Sequence, residues 1–215
     1  MKTFVKFCGL SREPEVKEVP AGGAAGFVVG VPDSPRNIGP ERASELIDQL
    51  SHEAEAWAVV VNPSAELIHH LFDEVGVDRV QVYGIVPAGL EFLEVHHLVP
   101  SVPVPAESTG APDPAIPPAE DYSRVHLDAA GQPVPGGSGV RPSWEVCARL
   151  VDSQPGRKLI LAGGLTPGNV ADALAIVRPW GVDVSSGIES SPGVKDLEKM
   201  RAFLRAVEEF ERQHA

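Results

Sequence analysis

Eight short runs rich in β-branched and aromatic residues recur along the chain, at 3–8, 26–31, 56–62, 79–84, 98–104, 124–128, 158–162 and 181–185. This rhythm constrains the fold more than any other feature of the sequence. Each run is bounded by Gly, Pro, Asn or Asp and leads towards a stretch of helical character. Ala43, Leu46, Ile47 and Leu50 form one apolar stripe at helical spacing, and Leu67, Ile68, Leu71, Phe72 and Val75 form a second. Val170, Ala173, Leu174 and Val177 repeat the pattern, and Leu197, Met200, Leu204 and Val207 open a final helix that runs to about Glu211. Strands that alternate with helices pair in parallel, because a parallel neighbour is reached only through a crossover and a helix is the usual one. The steps between runs average roughly 25 residues, near the shortest workable βα unit. Eight such units close a barrel, which in compact form takes about 200 residues. A doubly wound open sheet is the rival. It would use fewer strands, and no G-x-G-x-x-G follows the first run, since Gly22-Gly23 precedes the second run instead. The expectation is an α/β protein, a single compact (β/α)8 TIM barrel forming one domain over residues 1–215.

One stretch breaks the rhythm. Seven of the 21 prolines fall between Pro100 and Pro118, with Gly110 and few large apolar residues, so the fifth helix is expected to be missing or reduced to a turn. Its position after the fifth strand suits a lid as well as a tolerated insertion. The net charge of −12 argues against a nucleic-acid or anionic-membrane partner and favours a small molecule. No apolar run approaches the roughly 18 residues of a membrane span. Cys8 and Cys147 are too few for a disulfide framework, and Met1-Lys2-Thr3-Phe4-Val5-Lys6 lacks a signal-type apolar region, so a reducing, cytoplasmic setting is expected.

In such a barrel the active site lies at the C-terminal ends of the strands. There stand Cys8-Gly9 after the first strand, Ser34-Pro35-Arg36 beyond the second, Asp128 at the end of the sixth, Gly163-Gly164 after the seventh and Ser185-Ser186-Gly187 after the eighth. Singly, a strand cysteine is ordinarily a small buried hydrophobe, and an aspartate at a strand end is ordinarily a helix N-cap. Their placement at one end of the barrel is the signal. The small residues after strands seven and eight, read as adjacent to the next helix starts, let backbone N–H groups reach an oxyanion, and helix N-termini add partial positive charge. A phosphorylated ligand follows from that reading. Lys6 is read as facing away from Cys8, whereas His126 shares the face of Asp128. His69-His70 and His96-His97 are neighbours in sequence without metal-ligand spacing, and no metal site is expected. Cys147 falls in a predicted helix beside Trp144, Leu150 and Val151 and reads as a core thiol.

Lys6-Phe7-Cys8-Gly9-Leu10, Ser34-Pro35-Arg36, Val80-Gln81-Val82-Tyr83-Gly84, Gly136-Gly137-Ser138-Gly139, Leu161-Ala162-Gly163-Gly164-Leu165 and Val182-Asp183-Val184-Ser185-Ser186-Gly187-Ile188-Glu189 follow one another in this order. The chain thereby resembles the phosphoribosylanthranilate isomerases over essentially its full length. The last two motifs, continued by Ser191-Pro192-Gly193-Val194-Lys195-Asp196, are long and specific. The resemblance implies an Amadori rearrangement of N-(5′-phosphoribosyl)anthranilate to 1-(2-carboxyphenylamino)-1-deoxyribulose 5-phosphate in tryptophan biosynthesis, without cofactor or metal. It also implies Asp128 as general acid and Cys8 as general base, because ring opening needs a proton on the ring oxygen and enolamine formation needs one removed from C2′. Arg36 is implied to hold the anthranilate carboxylate by two parallel hydrogen bonds. Tyr83, Gly137, Ser138 and Gly139 are implied at the substrate, and Gly163, Gly164, Ser185, Ser186 and Gly187 at its phosphate. Tyr83 stands where the family usually has His, and Val140 where it usually has Lys, with Arg141 one place later as a shifted charge. Two readings compete with the isomerase: a non-catalytic or weakly active phosphosugar binder, and an isomerase of histidine-pathway sugar phosphates, which would carry an acidic residue in place of Cys8. The partner is then a small phosphoribosyl substrate, the protein a monomer or homodimer. The global acidity requires a local positive pocket, expected from Arg36 and two helix N-termini.

Overall fold

The structure is a computed structural model that describes residues 2–90, 92–108, 110–130 and 139–214. Eight parallel strands, β1 (Phe4–Cys8), β2 (Ala24–Val29), β3 (Glu55–Val61), β4 (Arg79–Tyr83), β5 (Leu98–Val104), β6 (Arg124–Ala129), β7 (Lys158–Leu161) and β8 (Gly181–Val184), hydrogen-bond in sequence order. β1 pairs with both β2 and β8, which closes the sheet into a barrel. Seven helices connect the strands among the described residues: α1 (Glu13–Val16), α2 (Pro40–Ile47), α3 (Ala65–His70), α4 (Phe92–His97), α5 (Trp144–Asp152), α6 (Val170–Val177) and α7 (Leu197–Gln213). Among the described residues no helix is long and apolar enough to cross a membrane.

The expected runs coincide with the strands to within a residue or two. The largest difference is β2, which begins at Ala24 rather than at 26. Ala24, Ala25 and Gly26 carry no β-branched signal, yet all three are buried in the sheet. The second apolar stripe divides between α3 and one π-helical turn, Leu71–Val75, which Gly76 ends in the left-handed region at φ 83°.

After β5 the described residues form no helix, as the proline content requires. The stretch instead packs along the barrel flank: Arg149 of α5 makes a two-bond ion pair with Asp113 (2.6 and 2.9 Å), and Arg157 Nη2 donates to the Pro118 carbonyl at 2.9 Å. Ile116 and Tyr122 pack against the core. These anchors lie at α5 and the start of β7, away from the mouth where a lid would close.

Side chains alternate between the helix-facing core and the barrel interior, and the interior is layered. At the bottom, Phe4, Trp57, Val99 and Ile160, one from each odd-numbered strand, form an apolar plug. Trp180 stacks on Phe4 with ring centroids 4.6 Å apart, and the Arg124 guanidinium lies 4.8–5.5 Å from Phe4, Trp57 and Trp180 while pairing with both oxygens of Glu55. The middle layer is polar and built from Lys6, Gln81, Ser101, His126 and Asp183. Cys8, Val28, Val59 and Tyr83 form the top.

Trp57 is fully buried at the centre of the plug. Trp57→Ala is therefore expected to lower the unfolding free energy by about 3–5 kcal/mol, measured by urea denaturation. A loss under about 1 kcal/mol would show that the plug does not hold the barrel together.

Candidate active site

The C-terminal ends of the strands surround one open cavity, the concave end where a barrel of this kind places a ligand. Cys8, Arg36, Tyr83, Asp128, Gly139, Gly163, Gly164, Ser185 and Ser186 all line it. Gly137 and Ser138 lie outside the described residues. Gly187 stands behind the wall, where a Cβ would meet the Leu165 carbonyl oxygen at 1.8 Å. A Cβ on Gly164 would stand 2.9 Å from the Gly139 carbonyl oxygen, and one on Gly163 would stand 2.9 Å from Asp128 Oδ1. Both residues also have positive φ, 84° at Gly163 and 62° at Gly164. The loops after β6, β7 and β8 thus converge backbone to backbone, and glycine is required because a side chain at any of these positions would push them apart.

The expected adjacency of these glycines to helix starts is not what the structure shows. α6 begins at Val170 and α7 at Leu197, and Ser186–Ile188 form a single 3-10 turn instead. An anion here meets loop and turn N–H groups rather than the ends of long helices. Beside Arg36, the local cation is Lys195, a side chain to which the sequence reading gave no role. Lys195 Nζ donates to the Ser185 carbonyl (3.1 Å), Ser185 Oγ (3.3 Å) and Glu189 Oε1 (2.7 Å). Arg141 does not join them; its guanidinium lies 4.5 Å from the Trp144 ring and is absent from the cavity lining.

Arg36 reaches the cavity, packed against Gly9, but its fork is occupied. Nε donates to Glu189 Oε1 at 2.7 Å and Nη2 to Glu189 Oε2 at 2.8 Å. That edge of the guanidinium makes an internal ion pair with Glu189. Glu189 is buried, which pushes its carboxyl up, yet Arg36 and Lys195 hold it below the ordinary carboxylate range.

At the opposite wall the Tyr83 hydroxyl donates to Asp128 Oδ2 at 2.7 Å, and the Ala129 N–H donates to Oδ1 at 2.8 Å. Burial and the Asp128 charge hold the Tyr83 phenol well above its ordinary value, so it keeps the proton it donates. Tyr83 fixes the orientation of Asp128. Sequence reasoning assigned it to the substrate without this bond.

Lys6 requires a correction. Residues two apart share a strand face, so Lys6 points into the barrel beneath Cys8 and not away from it. It is fully buried, and its Nζ lies 3.0 Å from Asp183 Oδ2. A Cβ at Gly26 would come within 3.0 Å of Lys6 Nζ and 3.1 Å of Cys8 Cα, which explains glycine in that strand. Burial pushes the Cys8 thiol up, and the charges of Lys6 and Lys195 offset only part of that rise. His126 is fully buried in the same layer, as its shared face with Asp128 suggested, and Cys147 is a core thiol pushed up to about 12.

The chain matches the N-(5′-phosphoribosyl)anthranilate (PRA) isomerase family over residues 5–206. It is 33% identical to the isomerase of Nitrosococcus oceani, covering 97% of this chain and 98% of that one, and 38% identical to that of Afipia carboxidovorans, covering 96% and 89%. The chain belongs to the PRA isomerase family. Among solved isomerases, the Thermotoga maritima structure superposes with a TM-score of 0.76 at 29% identity, covering 96% of this chain and 99% of that one. Another, with a TM-score of 0.72 at 27% identity and the same coverage, is a complex with reduced 1-(o-carboxyphenylamino)-1-deoxyribulose 5-phosphate.

Because its thiolate is scarce below a raised midpoint, alkylation of Cys8 in this PRA isomerase family member is expected to keep accelerating above pH ~8.5, the ordinary thiol value. Cys147 should stay unlabelled while the protein is folded. A labelling rate for Cys8, followed by mass spectrometry, that levels off below pH ~8 would contradict this reading.

Proposed function

We propose that this protein isomerises N-(5′-phosphoribosyl)anthranilate to 1-(2-carboxyphenylamino)-1-deoxyribulose 5-phosphate by general acid–base catalysis. The observation that carries the reading is one cavity, lined by a thiol and a carboxyl from opposite sides of the barrel and walled by three converging glycine loops. Asp128 delivers a proton to the ribose ring oxygen as the C1′–O bond breaks, with the anilino nitrogen lone pair forming the C1′=N bond. The Cys8 thiolate then removes the proton on C2′, and the electron pair moves towards nitrogen to give the enolamine, which tautomerises to the ketone. Tyr83 holds the acid in place through its hydrogen bond to Oδ2. The backbone of Gly163, Gly164, Ser185 and Ser186, with Gly187 allowing its close approach, binds the phosphate, and Lys195 adds positive charge behind Ser185. Gly139, which lines the cavity with Asp128, meets the substrate beside the acid. Arg36, held by Glu189, supplies the positive wall for the anthranilate carboxylate.

The Cys8 side chain distinguishes this activity from that of a histidine-pathway isomerase, and retention of both proton-transfer groups favours an enzyme over a phosphosugar binder. Purified protein is expected to consume phosphoribosylanthranilate with loss of its fluorescence. Cys8→Ala and Asp128→Ala should each lower kcat by about 10²–10⁴-fold. The wild-type kcat/KM should rise with pH as the Cys8 thiol, raised by burial, loses its proton. Undiminished turnover in either variant would overturn the assigned roles, and binding of a product analogue without turnover would favour the binder.

A further inference from the structure

The proposed reaction leaves unused an ionisable group on the cavity floor. Asp183 lines the same cavity as Cys8 and Asp128 and is nearly fully buried. In the β1–β8 register it pairs with Lys6, which places it one inward step below Cys8. Its two oxygens differ. Oδ2 accepts from Lys6 Nζ at 3.0 Å and lies 2.9 Å from His126 Nε2, whereas Oδ1 is buried without a hydrogen-bond partner among the described residues.

An acceptor oxygen left unpaired in the interior is costly, and an ionised one more so. Burial alone would push the Asp183 carboxyl up, but the Lys6 charge and the His126 hydrogen bond hold it below its ordinary value, so it is a carboxylate. The surrounding donors are already placed: Lys6 and His126 on Oδ2, and Gln81 Nε2 towards Ser101 Oγ and His126 Nδ1 at 3.3 and 3.2 Å. Gly26, beside Lys6, has no side chain to offer. Asp183 itself lines the cavity, so a donor on a bound ligand comes next to this carboxylate.

We propose that Asp183 Oδ1 accepts a hydrogen bond from a hydroxyl on the C2′–C3′ edge of the substrate sugar, which seats C2′ over the Cys8 thiolate. The inference rests on the isomerase reading and adds a substrate-contacting residue to it. It also accounts for the polar middle layer. Lys6 and His126 hold one oxygen and leave the other without a partner among the described residues.

The test is calorimetric titration with reduced 1-(2-carboxyphenylamino)-1-deoxyribulose 5-phosphate and its 2-deoxy and 3-deoxy counterparts. Wild-type protein is expected to bind one of the deoxy compounds about 10- to 100-fold more weakly than the parent. In Asp183→Asn, Lys6 and His126 both demand an acceptor, so the amide oxygen takes the place of Oδ2 and its NH2 group turns to the cavity. The hydroxyl then accepts from a neutral amide instead of donating to a carboxylate, so the penalty for its loss should fall by about tenfold. If Asp183→Asn alone does not fold, Lys6→Met/Asp183→Asn removes both charges of the pair together and carries the same comparison.

Equal binding of all three compounds by wild-type protein overturns the inference, as does the same hydroxyl penalty in wild-type and variant protein. Wild-type protein that neither binds the parent compound nor turns over phosphoribosylanthranilate overturns the isomerase reading instead.

Discussion

Closure of the sheet by β1, which pairs with β2 on one side and β8 on the other, is the constraint on which the rest of this structure depends. A closed parallel sheet has no edge, so every strand hydrogen-bonds on both sides and alternate side chains have nowhere to go but inward. Register then becomes a statement about chemistry. Cys8 opposite Gly26 and Lys6 opposite Asp183 follow from pairing alone. A slip of β1 by one residue would turn Cys8 and Lys6 to the helix layer and part them from Gly26 and Asp183.

The interior changes character along its axis. An apolar plug at the N-terminal end carries packing, and the polar layer above it holds charges that a barrel of this size could replace with aliphatic side chains. Taking Lys6, His126 and Asp183 out of water costs free energy that their mutual hydrogen bonds only partly recover, so the layer is weak evidence for stability. Its position directly beneath Cys8 and Asp128 ties it to the site.

The acidity of the chain, −12 overall, is locally reversed by few groups. Arg36 and Lys195 converge on Glu189, and Lys6 sits below Cys8. Each of these cations is buried against a carboxylate, which fixes its position at the expense of net positive potential. The proposed anion recognition would therefore rest on directional N–H groups and placed ammonium and guanidinium groups more than on the long-range field.

The sequence by itself determined the barrel, because strand and helix periods are local and eight of them in about 200 residues admit few arrangements. It also marked Cys8, Asp128 and the loop glycines, since strand ends and glycine runs are local signals too. The side of the strand on which Lys6 lies was legible as well, two residues from Cys8, and was misread. Other features belong to the tertiary structure alone. Arg36 and Glu189 are 153 residues apart, and Asp183 and His126 are 57 apart. No periodicity records which charges meet across a closed sheet. The N–H groups after β8 likewise belong to a 3-10 turn and not to a helix start, with Gly187 packed closely against Leu165 of the neighbouring loop. Local pattern decides the elements, whereas register and closure decide which of their side chains share a cavity.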